Sequence, residues 1–301
     1  MSAGFPCLRV RAAIPHFFQE GEQASGYGSG APGARLARSL ALARCLGALL
    51  DQRRAAPDLM LDIGRRCLTS SGGMPHAVQL EVHVFTTGGH ALSEVLAHFG
   101  PEIHVHAVEL NDPRQLALIT RDWLIAAEPI ADLSLYLEDD LVIADPLFFA
   151  KQHWFTRATE GRAVLMPHRH EAIPGRGGQR LLVDGPLRDG FIRRFATPQP
   201  AVARGRFAGG PEISFDRTAN PHAGLFCLDA AQVERRRQRT LPNAGFIGPL
   251  ETAATLTALE VFEVWKPALA QRSFLWVEHG HPRFTAYADR FVIQEQDPPS
   301  S

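Results

Sequence analysis

Short runs rich in β-branched and aromatic residues alternate, along most of this chain, with stretches whose apolar residues recur every three or four positions. "LRVRAAIPHFF" (8–18) reads as a strand, and "ARLARSLALARCLGALLDQRR" (34–54) as an amphipathic helix with arginines on its polar face. "DLMLDIG" (58–64), "LEVHVFTTGG" (80–89) and "IHVHAVEL" (103–110) are further β-rich runs, with the helix pattern "HALSEVLAHF" between the last two. A helix over about 113–127 leads into the strand "LSLYL" (133–137). Strands separated by helices need crossover connections, so the alternation predicts an α/β fold with a mostly parallel central sheet flanked by helices. Later, "AGLFCLDAAQVERRR" reads as strand then helix, "PLETAATLTALEVFEVW" as helix then strand, and "FLWVEHGH" as a last strand.

With 45% hydrophobic and 21% charged residues over 301 positions, burying a core is no difficulty. The 31 basic and 32 acidic residues leave a net charge of −1, so no global field points to nucleic acid or an anionic membrane. Cys7, Cys45, Cys67 and Cys227 form no C-x-x-C pair, which argues against a disulfide framework or a zinc site and for a reducing, cytoplasmic compartment. The opening residues lack a signal-peptide core, and the apolar helical stretch 36–50 is interrupted by Arg38 and Arg44, so no transmembrane segment is expected.

Chemistry concentrates where "LSLYL" ends. "SLYLEDDLVIADPLFF" (134–149) places Glu138, Asp139 and Asp140 directly after an apolar strand. In an open α/β sheet, ligands sit beyond the carboxyl ends of the strands. Continued as a strand, Glu138 and Asp140 would share one face, roughly 7 Å apart, with Asp139 opposed. Adjacent carboxylates need a cation, hydrogen-bond donors or protonation, and a hard divalent ion with oxygen ligands is the simplest relief. The plain alternative is a solvated turn in which Asp145 caps a helix that has Pro146 at its first position.

The segment "YLEDDLVIADPLFF" resembles the metal-binding segment of nucleotide-sugar glycosyltransferases of the GT-A fold, in particular the E-D-D version of N-acetylglucosaminyltransferase I. With "NPHAGLFCL", "FIGPLETAATL" and "VEHG", the wider pattern is similar to uncharacterised bacterial proteins carrying that segment. The resemblance implies a metal-dependent glycosyltransferase with Mn2+ or Mg2+, a nucleotide-diphospho-sugar donor, an unidentified acceptor and no nucleic acid. Asp140 would be the direct metal ligand, Glu138 and Asp139 would hold the nucleotide's sugar or the donor hexose, and a histidine of "VEHGH", His279 ahead of His281, would complete the metal shell. It implies one GT-A-like domain over 1–295, with a nucleotide-sugar half (1–145), an acceptor half (146–295) and a Gly/Pro/Arg-rich insertion over about 168–220, followed by a disordered tail at 296–301.

"GPLETAA" places Glu251 at a helix start, where free backbone N–H groups and the macrodipole favour a carboxylate. The resemblance adds a second role, general base toward the acceptor if the transfer inverts. Asn220 and His222 in "NPHAGLFCLD" either line a substrate pocket beside Gly224 or form a plain tight turn. Residues 169–217 hold nine Arg against five Asp or Glu, which reads as an irregular, mobile basic loop or a structural insertion.

Other signals are weaker. Gly28, Gly30 and Gly33 match G-x-G-x-x-G, but about nine residues part them from Phe18, whereas the dinucleotide fingerprint follows its strand directly. His104 with His106, and His168 with His170, lack a third zinc ligand at a recognisable spacing. The alternatives to a transferase are a non-catalytic nucleotide-sugar or metal-binding protein of the same fold and, further off, an NAD-binding Rossmann oxidoreductase.

Overall fold

The computed structural model describes residues 7–21, 32–56, 58–70 and 76–293. Its centre is a five-stranded sheet. β1 (Cys7–Pro15) lies between β4 (Ala77–Thr87) and β6 (Leu133–Leu137), with β5 (His104–Val108) outside β4 and β13 (Leu225–Asp229) outside β6. The pairs β1/β4, β1/β6 and β4/β5 are parallel, and only β13 runs antiparallel to β6. All five residues of β6 are buried, as the continuous apolar run "LSLYL" requires of a strand covered on both faces.

Helices cover this sheet with their apolar stripes. α1 (Arg35–Leu50) buries Ala41, Leu42, Cys45, Leu46 and Leu49, together with Arg38. α2 (Ser93–His98) is short, and α3 (Leu116–Ala126) packs on β1 and β6. α6 (Ala230–Arg237) starts in a capping box made by Asp229 and Gln232, and α7 (Pro249–Leu259) starts at Gly248 with Pro at its first position. α4 (Phe148–Ala158) begins three residues after Asp145. That aspartate accepts from the Leu147 N–H at 2.9 Å and pairs with Lys151, so it organises the preceding turn instead of capping the helix.

Two smaller sheets build the second half. One has the order β10 (Arg180–Leu182), β9 (His168–Ala172), β15 (Trp276–His279), β7 (Leu141–Val142); the other is β11 (Gln199–Arg206), β12 (Glu212–Arg217), β14 (Glu263–Pro267), β8 (Ala163–Leu165). The expected irregular insertion at 168–220 contains four of these strands, β9 to β12, and one turn of helix, α5 (Asp189–Ile192), joined by irregular stretches. Its strands pair with one another, β9 with β10 and β11 with β12, and are tied to the rest of the chain by β9 on β15 and by β12 on β14, with Phe215 opposite Pro267. A second correction concerns "DLMLDIG": among the described residues β2 (Leu59–Asp62) pairs with β3 (Cys67–Ser70) alone, in an antiparallel hairpin outside the central sheet.

His106 bonds His83 at 2.9 Å and stacks on Phe85, so this histidine belongs to a ring cluster. All four cysteines are free. Among the described residues, no helix is long and apolar enough to cross a membrane. Gly28 and Gly30 of the glycine motif, and the tail at 296–301, lie outside the described residues.

Candidate active site

β6 ends at Leu137, and Glu138 to Asp140 form a turn, with the Leu141 N–H donating to the Glu138 carbonyl at 3.2 Å. The strand-face expectation therefore fails: in a turn the three carboxyls diverge. Each meets a different wall of the site.

Asp139 points to the β1 side. Because β1 and β6 run parallel in register, His16, just beyond the end of β1, lies beside the end of β6. His16 accepts the Leu92 N–H through Nε2 at 3.0 Å, which leaves Nδ1–H to donate to Asp139 at 2.6 Å. Arg38 of α1 donates to both oxygens of Asp139, at 2.8 and 2.7 Å. Burial would raise the Asp139 pKa, but Arg38 and His16 hold it far below the usual carboxylate range. Asp139 thus anchors Arg38 beside the acidic turn.

Glu138 folds toward β13 and β9. Its carboxyl lies against Gly224, 4.0 Å from His222 Nε2 and 3.6 Å from Arg169 Nη1. Oε1 is buried without a hydrogen-bond partner. Burial, reinforced against Arg169 by Asp140, Glu251 and Asp139, pushes the Glu138 pKa up to about 8. Arg169 is held from behind by Asp184, through Nε at 3.0 Å and Nη2 at 2.8 Å, and Asp184 also takes Lys266 at 3.1 Å.

Asp140 faces β15. The antiparallel pairing of β15 with β7 sets His279 opposite Leu141, and His279 Nε2 lies 3.5 Å from Asp140 Oδ2. Nδ1–H of the same ring donates to Glu171 at 2.7 Å. Burial would raise Glu171, but His279 and the backbone N–H groups of Arg283 and Thr285 outweigh it and lower its pKa. Arg38 Nη1 reaches Asp140 Oδ2 at 3.3 Å. His281 stands near enough to Arg38 and Asp140 to feel both charges.

Protein groups thus relieve much of the carboxylate repulsion: Arg38 lies on two of the acids, His16 on one, and Arg169 beside the third. Repulsion alone does not call for a metal. The donor set still suits one. Two atoms each about 2.1 Å from a shared ion stand about 3.0–3.5 Å apart at right-angled to tetrahedral geometry, which the Asp140–His279 spacing matches. A carboxylate behind the histidine's other nitrogen is the usual support of a metal-binding imidazole. Among the described residues no group of three or more His, Cys, Asp or Glu side chains forms a metal cage.

The remaining expected residues sort as follows. Asn220 donates to the Gly185 carbonyl at 2.9 Å and accepts the His222 N–H at 3.1 Å, so its side chain closes a turn that presents His222. His222 bonds Thr255 through Nδ1, and burial drives its pKa well down, keeping the ring neutral. Glu251 is half-buried at the third position of α7, its carboxylate folded back beside Gly248, and its charge acts on Glu138 and Tyr136. Arg38, Arg169, Glu171, Asp184 and Lys266 were given no site role from the sequence. Arg38 lies on α1, Arg169 and Glu171 on β9, Asp184 just beyond β10 and Lys266 on β14, and only the folded register brings these elements together.

The described chain is a mixed α/β protein with an acidic turn at the carboxyl end of a central strand. No family model matches it, and no curated protein matches it in sequence. Among solved structures, S. aureus TarS 1–349 aligns with a TM-score of 0.44 at 10% identity, over 86% of this chain and 58% of that one. The same TarS fragment in complex with UDP-GlcNAc gives 0.40 at 9% identity, over 86% and 56%. The chain spans less than two thirds of the length of these proteins.

Proposed function

We propose that this protein is a GT-A-type glycosyltransferase that moves a sugar from a nucleotide-diphosphate donor to an acceptor hydroxyl. The observation that carries the reading is the line Glu171–His279–Asp140 at the end of β6, a supported imidazole and a carboxylate at metal-sharing distance. Asp140 and His279 Nε2 would hold Mn2+ or Mg2+, and Glu171 fixes the ring that does so. A divalent ion there supplies counter-charge for the donor's diphosphate.

The protein's own groups divide the rest of the work. Glu138, whose Oε1 has no partner, offers a carboxyl to the donor's sugar, with Arg169 and His222 on either side. In an inverting transfer the acceptor oxygen bonds the anomeric carbon as the bond to the diphosphate oxygen breaks and its electron pair leaves with the diphosphate. Glu251 takes the acceptor proton.

The test is a thermal-shift screen of nucleoside diphosphates with Mn2+ and with EDTA, since a ligand that binds only the folded state raises Tm. Stabilisation by at least one diphosphate with Mn2+ and none in EDTA is expected. Equal shifts in EDTA would remove the metal, and no shift with any diphosphate would remove the donor. A nucleotide-sugar that binds but is never consumed would leave a binding protein of this fold.

A further inference from the structure

Arg38 and His279 reach the same atom. Asp140 Oδ2 lies 3.3 Å from Arg38 Nη1 and 3.5 Å from His279 Nε2. The two contacts differ in kind: one brings a permanent cation, the other an imidazole nitrogen whose partner nitrogen is already fixed on Glu171.

Arg38 does not depend on Asp140 for its place. Its Nη2 donates to both Asp139 oxygens at 2.8 and 2.7 Å, and Asp139 is itself fixed by His16. The bond to Asp140 is single and the longest of the three. The guanidinium is buried, and its Nε has no hydrogen-bond partner, so this pose leaves one buried donor unsatisfied.

From this geometry we infer that Arg38 is a built-in counter-cation that competes with a divalent ion for Asp140; the inference rests on the metal reading above. Without an ion, Arg38 pairs with both aspartates. An ion on Oδ2, at about 2.1 Å, meets the guanidinium's like charge, so Arg38 must give up Asp140 while Asp139 retains it. The cost falls on the metal alone. A diphosphate arriving with the ion brings the negative charge that offsets it, so Arg38 couples metal binding to donor binding and keeps the metal-only affinity low.

The test is Mn2+ itself, titrated by calorimetry and by loss of the free-ion EPR signal, on the wild type, Arg38→Met, Arg38→Lys and an Asp140→Ala control. Lysine keeps a charge on Asp139 but lacks the second arm that reaches Asp140, and it serves if the methionine variant does not fold. Both variants are expected to bind Mn2+ at least tenfold more tightly than the wild type, and added nucleoside diphosphate should enhance that binding less. Equal or weaker Mn2+ binding in folded variants would overturn the inference while leaving the metal site standing, because Arg38 would then be orienting Asp140. Absence of Mn2+ binding that depends on Asp140, in every protein and with diphosphate present, would overturn the metal reading and this inference with it.

Discussion

The carboxyl of Glu138 rests against the α-carbon of Gly224. A Cβ at that glycine would stand 2.7 Å from Glu138 Oε2 and 2.9 Å from Leu141 Cδ1, and the backbone there has φ +65°. The Glu138 N–H also donates to the Gly224 carbonyl at 3.0 Å, so chain and side chain both fold onto this residue. Gly224→Ala must place a methyl group where the carboxyl lies, in a backbone region that costs an L-residue about 1–2 kcal/mol, with overpacking of about 1–3 kcal/mol added. A loss of more than about 2 kcal/mol in urea unfolding is expected from the sum of these terms. Unchanged stability would show that Glu138 does not need the space.

Asp184 should be the most costly single charge to remove. It bonds both Arg169 and Lys266, each with a side chain under one-tenth exposed, so Asp184→Asn strands two buried cations. Breaking a buried pair from one side costs about 3–5 kcal/mol. The pH dependence follows from the same contacts. Burial would raise the Asp184 pKa, but Arg169 and Lys266 hold it far below the ordinary value. A depressed folded-state pKa contributes stability that is complete above the unfolded value, about 4, and is lost as pH falls below it. The wild type should therefore lose stability between about pH 4 and pH 2 more steeply than Asp184→Asn. Parallel curves for the two proteins would count against the pairing.

Asp184 also shows where the sequence stops being legible. The central strands follow from their apolar runs, α7 from its G-P-x-E start, and the acidic corner from three carboxylates after "LSLYL". What each carboxylate does was not readable, because the turn at Glu138 replaces strand alternation with three separate directions. The partners are set by long-range register: β15 on β7 brings His279 to Asp140, and β1 on β6 brings His16 to Asp139. Asp184, Arg169 and Glu171 lie in the Gly/Pro/Arg segment, where frequent turn residues masked the short strands β9 and β10. A strand of three to five residues leaves too short a pattern to separate from loop.

Glu171→Gln tests whether His279 is held for a ligand. The glutamine can still accept from Nδ1–H, but it loses the charge that raises the basicity of the far nitrogen. Metal affinity should fall about 10–100-fold, read as Mn2+ affinity in the presence of the best nucleoside diphosphate. Glu171 also accepts the N–H groups of Arg283, Phe284 and Thr285, so a lower Tm is expected as well. The two effects separate when Mn2+ affinity is measured well below Tm. A lower Tm with wild-type Mn2+ affinity would make Glu171 a loop anchor alone.

Glu251 divides a transferase from a binding protein. At the third position of α7, with its carboxylate beside Gly248, it sits where any helix start favours an acid, yet its charge reaches Glu138 at the corner. Replacing it by Gln keeps size and hydrogen-bonding capacity and removes the proton acceptor. If Glu251 is the base, donor binding survives and transfer falls by roughly 10²-fold or more. A helix-start role predicts the opposite pairing, a stability loss of about 0.3–1 kcal/mol with transfer almost unchanged. Donor affinity, Tm and sugar transfer measured on the same Glu251→Gln protein decide between them. Near-normal transfer would strike Glu251 from the catalytic residues and leave the Asp140–His279 pair as the centre of the site.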